Sequence, residues 1–157
     1  MKQIAVIGGG TMGLGIAYVC AQAGADVIVV EPDDARAATM RSIIRDTAGG
    51  AVKRGKFTAA EADALDRRVE RVASIAALPE GLDLIVESVF EDLALKHAVL
   101  TEAAWKRPAL LATNTSALSI DRLAEVVLDK ASFLGMHFFN PVWSLKLVEI
   151  IRGVATS

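Results

Sequence analysis

The chain has 157 residues, 53% of them hydrophobic and 23% charged, with a formal net charge of −2 and a single cysteine. That balance excludes a disordered chain, and the near-neutral charge excludes the basic field that nucleic acid demands. One cysteine cannot form an internal disulfide, which fits a reducing, cytoplasmic setting, and the length suits one domain with a real core.

From Gln3 to Ala25 there is no charged side chain, and Ala21-Gln22-Ala23 resembles a signal cleavage site. Gly8-Gly9-Gly10 breaks that stretch in its first third. A second apolar strand then follows at nucleotide-binding spacing, so neither export nor a membrane span is expected. Residues 4–7 are a β-branched run ended by glycines, the pattern of a strand buried on both faces. Residues 11–23 are small or apolar and read as a helix stopped by Gly24; Cys20 lies within it as a small core residue. Residues 27–30 form a second strand, closed by Glu31-Pro32. Strand, a dozen helical residues and strand make a βαβ unit, which implies a parallel sheet.

After Asp33-Asp34, Met40, Ile43, Ile44 and Thr47 share one helix face, which Gly49-Gly50 weakens. Lys53, Arg54 and Lys56 give that helix a basic end, and Thr58-Ala-Ala-Glu61 is a capping box for a second helix. Residues 34–68 therefore read as a helical hairpin inserted into the alternation. A short strand is expected near 71–74, another over 82–86, a helix over 92–105 and a strand over 110–113. A helix over 119–128 and strands over 132–139 and 145–151, turned at Asn140-Pro141, complete the pattern. The fold class is α/β: a Rossmann-type, doubly wound, mainly parallel sheet.

Gly8-Gly9-Gly10-Thr11-Met12-Gly13 matches G-x-G-x-x-G between a strand and a helix, and an acid, Glu31, follows the second strand. Gly8 permits the tight turn, Gly10 clears the approach of a pyrophosphate, and Gly13 lets helix and strand pack closely. Thr11 and Met12 open the helix, whose N-terminus favours phosphate. Glu31 can accept from ribose hydroxyls and would repel a 2′-phosphate, favouring NAD over NADP. A flavin shares this fingerprint, and a plain glycine loop is the bland alternative.

His137 ends an apolar run, where a histidine is commonly a satisfied core residue. Glu149 lies in the next strand, however, and a turn near Asn140-Pro141 would lay the two side by side. A carboxylate in an apolar strand is unusual unless paired, and an imidazole held by one keeps a single tautomer, as a proton acceptor needs. Ser116, in Asn114-Thr115-Ser116, follows a strand at the sheet end where ligands bind, either as a donor to substrate or as a turn serine.

Together these segments resemble the 3-hydroxyacyl-CoA dehydrogenase family from Lys2 to about Gly153. The most specific stretch is His137-Phe-Phe-Asn140-Pro141 followed by Lys146-Leu-Val-Glu149-Ile. Val86-Glu87-Ser88 with Glu91 and Lys96, Asn114-Thr115-Ser116, and Lys53 to Thr58 match as well. The resemblance implies that His137 is the catalytic base and Glu149 its paired acid. Ser116 and Asn140 would stand between nicotinamide and substrate, Glu91 and Lys96 would line the cofactor, and Glu31 would hold the adenosine ribose. Arg54 or Lys56 would meet the phosphates of coenzyme A; Gly55 stands where some members carry a lysine, and Trp143-Ser144 departs from the usual Val-Pro-Val run.

The implied reaction is reversible NAD-dependent oxidation of an L-3-hydroxyacyl-CoA to the 3-ketoacyl-CoA, in fatty-acid β-oxidation or butanoate-type metabolism. Members continue into a helical domain that closes over the acyl-CoA substrate and makes the homodimer. Residues 1–157 read as the NAD-binding dehydrogenase domain without it, poorly active alone because the site stays wet. Two other readings stay open: a non-catalytic NAD-binding module, and a dehydrogenase of a 3-hydroxy compound not linked to coenzyme A. No metal site is expected.

Overall fold

The computed structural model describes residues 2–157. Its first half runs β1 (Gln3–Ile7), α1 (Thr11–Gln22), β2 (Asp26–Val30), α2 (Asp34–Lys53), α3 (Ala59–Arg67) and β3 (Val69–Val72). The second half runs β4 (Leu84–Glu87), α4 (Leu93–Ala104), β5 (Leu111–Thr113), α5 (Ile120–Leu123), β6 (Phe133–Phe138) and β7 (Val148–Arg152). The seven strands form one sheet in the order β3-β2-β1-β4-β5-β6-β7. All neighbours are parallel except β6 and β7, which are antiparallel. This is the doubly wound order with the direction of winding reversed beside β1, where the strand ends leave a crevice.

Alternate strand residues feed two cores. Val6, Val27, Val29 and Val86 pack with α1, α2 and α3 on one face. Ala5, Ile7, Ile85, Leu111 and Phe133 pack with α4 and α5 on the other. Strands buried on both faces must be apolar at successive positions, which is why they read as unbroken runs rather than alternating ones.

The helical hairpin forms as expected. Asp33 caps α2 by accepting from the Arg36 N–H, and Thr58 and Glu61 complete the capping box of α3. Gly49 and Gly50 do not interrupt α2, because Ala48 and Ala51 on either side are buried and tertiary packing holds the helix through them. Arg45 joins the two helices through Asp66 at 2.9 Å.

Several elements differ from the sequence expectation. The helix expected over 119–128 stops at Leu123, continues as a tighter turn over Ala124–Val126 and goes extended at Val127. The β-branched pair Val126-Val127 disfavours another α turn. The last strand begins at Val148, because the Pro141 carbonyl accepts from both Ser144 and Leu145 and coils 141–145 into a turn. The strand expected near 71–74 lies over Val69–Val72 instead, pairing in parallel with β2. None of the described helices is long and apolar enough to cross a membrane.

Candidate active site

The carboxyl ends of β1, β2, β4 and β5 border a cleft of about 710 Å³ that includes Gly8, Gly10, Thr11, Met12, Glu31, Glu91 and Ser116. Its floor is the glycine turn. Gly8 has φ of +112°, and a Cβ there would lie 2.5 Å from the Ser88 carbonyl oxygen. A Cβ on Gly13 would sit 1.8 Å from the Gly8 carbonyl oxygen, so only glycine lets α1 stand this close to β1.

Two observations test whether a dinucleotide fits. Gly10 faces open space, with nothing within 4 Å of a would-be Cβ. Gly10 is also the N-cap of α1 and gives it no side-chain acceptor, whereas Asp33, Thr58, Asp92 and Ser119 cap the other α-helices. First-turn N–H groups lack intrahelical partners and carry the positive end of the helix dipole, so α1 is left to take an anionic ligand. The residues fit a pyrophosphate.

Glu31, the residue after β2, is 3% exposed. Its Oε2 accepts from the Gly9 N–H at 3.1 Å and its Oε1 from the Asp33 N–H at 2.9 Å. Arg71 on β3 steadies that turn by donating to the Glu31 carbonyl and to Asp34, both at 2.8 Å.

On the opposite wall, Glu91 Oε1 accepts from the Thr115 hydroxyl and from the Ser116 and Ala117 N–H groups. Burial raises the Glu91 carboxyl, but those hydrogen bonds and the Lys96 charge outweigh it and hold the pKa at about 2. Glu91 is thus an anion that fixes the loop carrying Ser116. Lys96 does not itself border the cleft. It is fully buried, held by Glu87 Oε1 at 2.7 Å and Oε2 at 3.0 Å and lying 3.3 Å from Glu91 Oε2, so it acts on the cleft through Glu91.

At the far edge, the β6–β7 register sets His137 opposite Glu149, and His137 Nδ1 lies 2.9 Å from Glu149 Oε2. A carboxylate only accepts, so Nδ1–H donates and the neutral ring keeps its lone pair on Nε2. The His137 side chain is 19% exposed and that of Glu149 54%, so the pair stands at an open margin. Asn140 is exposed on the following turn. Arg54 and Lys56 are also exposed and lie at the tip of the hairpin, away from the cleft wall. Tyr18 of α1 links that hairpin to the segment after Pro141, stacking on Phe57 and meeting Trp143 edge-on, each at 6.4 Å.

Two connecting residues carry the geometry without having been singled out for a role. Asn114 Oδ1 accepts from the Phe138 N–H at 2.9 Å, and its Nδ2 donates to Ser88 Oγ at 3.3 Å. It therefore ties the β4 end and the β6 strand beside His137 into one frame. Glu87 closes the other link, accepting from Thr113 at 2.6 Å and the Val89 N–H at 2.7 Å as well as from Lys96. A glutamate in the apolar run Leu84-Ile85-Val86-Glu87 was the available signal.

Residues 3–157 match the family described as 3-hydroxyacyl-CoA dehydrogenase, NAD binding domain. All of the chain aligns at 38% identity with 22% of the fatty acid oxidation complex subunit alpha of Acinetobacter baylyi. The same identity, again over the whole chain, holds with 33% of the 3-hydroxyadipyl-CoA dehydrogenase of Escherichia coli. The crystal structure of 3-hydroxybutyryl-CoA dehydrogenase from E. coli K12 superposes with a TM-score of 0.94 at 36% identity, covering 99% of this chain and 33% of that one. The chain thus spans a fifth to a third of the length of these relatives.

Proposed function

The chain belongs to the 3-hydroxyacyl-CoA dehydrogenase family through its NAD-binding domain, and from that premise we propose that it serves the reversible oxidation of an L-3-hydroxyacyl-CoA to the 3-ketoacyl-CoA. The observation that carries the reading is the His137–Glu149 pair, 2.9 Å apart on the sheet edge beside a cleft whose glycine turn fits a pyrophosphate. NAD, when bound, accepts the hydride that leaves C3.

The chain's own residues do the rest. The open N-terminus of α1 with Gly10, Thr11 and Met12 holds the pyrophosphate, and Glu31 holds the adenosine ribose. Glu91, braced by Lys96, fixes the loop that presents Ser116. Ser116 and Asn140 position the substrate oxygen, and His137 Nε2 takes the hydroxyl proton. Glu149 keeps Nδ1–H in place and stabilises the imidazolium that forms. General-base transfer of this kind contributes roughly 10²–10⁴ in rate. Arg54 and Lys56 offer charge to the phosphates of coenzyme A. All five residues of β7 are exposed, so the proton-transfer edge is wet in this chain alone. We propose that further length of the kind the relatives carry covers that edge and makes the dimer contact.

The intact His137–Glu149 geometry favours an enzyme over a mere nucleotide-binding module, which has no use for a held imidazole. The test is oxidation of L-3-hydroxybutyryl-CoA by the complete protein, followed as NADH absorbance. His137→Gln and Glu149→Gln should each depress kcat strongly, and the double variant should be little worse than the worse single. NADH affinity should stay within about twofold throughout, since neither residue borders the cleft. Multiplicative losses would dissolve the dyad.

A further inference from the structure

The adenosine end of the cleft holds a cation that ribose recognition by an acid does not require. Arg36 Nε lies 3.3 Å from Glu31 Oε2, and Arg36 Nη2 lies 3.8 Å from Asp33 Oδ2. The Arg36 side chain is 52% exposed, against 4% for Glu31, so the guanidinium stands between the buried carboxylate and solvent at the cleft mouth. The other nearby arginine, Arg71, does not border the cleft, and its Nε and Nη2 donate to the Glu31 carbonyl and to Asp34. Arg36 is the cation at this end that faces the cleft with donors to spare.

Counting donors and acceptors sharpens its role. An ionised carboxylate offers about four acceptor sites. The Gly9 N–H and the Asp33 N–H engage two of those on Glu31, while Arg36 Nε stands 3.3 Å from Oε2 as an ion pair without a hydrogen bond. A ribose diol brings two hydroxyls, which fill the two remaining sites and leave Arg36 outside the hydrogen-bond set. Without a hydrogen bond to Glu31, the guanidinium is a planar fork of five donors on a flexible stem, the geometry that suits a phosphate. It is also within reach of the ribose 2′-position, because it contacts the very carboxylate that the 2′-hydroxyl would meet.

Resting on the dinucleotide reading of the cleft, we propose that Arg36 is the residue that senses the 2′-substituent. Paired with Glu31 it leaves the diol site to NAD, and released from Glu31 it binds the phosphate of a 2′-phosphorylated adenosine nucleotide. Discrimination against NADP therefore rests chiefly on the Glu31 charge, with Asp33 beside the same guanidinium, and the cation for a 2′-phosphate already stands there.

Direct binding tests this, with no turnover needed. Titrations of NADH, NADPH and adenosine 2′,5′-bisphosphate, by nucleotide fluorescence or calorimetry, are made on the wild type, Glu31→Gln, Arg36→Ala and the double variant. Gln removes the charge and keeps one oxygen for one of the two backbone N–H groups that Glu31 holds with separate oxygens. The wild type binds NADH more tightly than NADPH. Glu31→Gln raises bisphosphate affinity about tenfold or more, the worth of a charge-assisted pair, with a steeper salt dependence. Arg36→Ala in that background abolishes the gain while NADH affinity holds. If the gain survives in the double variant, the phosphate is read elsewhere and the proposal falls. Should Glu31→Gln fail to fold, Glu31→Ser with and without Arg36→Ala decides: bisphosphate affinity must rise in the first and fall back in the second while NADH binding persists in both. A wild type that binds no NADH would instead overturn the dinucleotide reading itself, an outcome distinct from NADH binding with Arg36 irrelevant.

Discussion

Replacing Lys96 with methionine should be among the most damaging single changes outside the apolar core. The Lys96 side chain is 1% exposed and its ammonium lies 2.7 Å from Glu87, whose side chain is 0% exposed. Methionine keeps most of the stem's volume, so the loss is of charge rather than of packing. It leaves Glu87 with only the Thr113 hydroxyl and the Val89 N–H, a buried carboxylate without a counter-charge. Breaking such a pair costs roughly 3–5 kcal/mol. For a domain of this size, about 2–4 °C of Tm per kcal/mol translates that into a fall of roughly 6–20 °C. Urea unfolding and calorimetry give the two numbers independently. Glu87→Gln added to Lys96→Met should restore part of the loss, by about 1–3 kcal/mol, since Gln needs no cation and still accepts from Thr113 or Val89. A cost below about 1 kcal/mol for the single change, the value of an exposed pair, would refute the reasoning. So would a double variant as unstable as the sum of its singles.

Two further outcomes follow from the site. The Glu91 carboxyl is held at about 2, below its ordinary value, so its stabilisation is fully present above the usual carboxylate range and is lost as pH falls toward 2. Glu91→Gln should therefore flatten the acid limb of unfolding free energy against pH between about 4.5 and 2, with little change near pH 7 in slope; an unchanged limb would remove Glu91 from that role. At the hairpin tip, Arg54→Ala and Lys56→Ala in the complete protein should raise KM for acyl-CoA, leave KM for NADH alone, and matter less with a pantetheine thioester. An unaltered acyl-CoA KM with both charges gone would move the phosphate contact elsewhere.

The fold was legible where one physical rule decided the local structure. Residues 4–7 and 27–30 are apolar on both faces because helices cover both, and the Thr58–Glu61 box marks a helix start whatever surrounds it. The rule failed where packing or a neighbouring turn overrode pattern. Residues 145–147 look like strand by composition, yet the Pro141 carbonyl draws Ser144 and Leu145 into a turn first. Gly49-Gly50 looks like a break, yet buried alanines on either side carry α2 through it.

The same division runs through the site. Glu149 could be matched to His137 because a turn between neighbouring strands fixes a cross-strand pair, and the register puts them opposite. The reason for expecting a partner, a carboxylate in an apolar strand, applies with more force to Glu87. Its partner Lys96, however, lies nine positions on in a helix, and only the crossover brings the helix back over the strand end. Arg36 is harder still, since three positions after Asp33 it has the spacing of an ordinary solvated helix-end ion pair. What distinguishes it is that Glu31, five positions earlier and outside the helix, is buried under it. Burial of the partner makes a surface arginine part of a binding site, and burial is a property of the sheet's edge geometry rather than of any window of sequence.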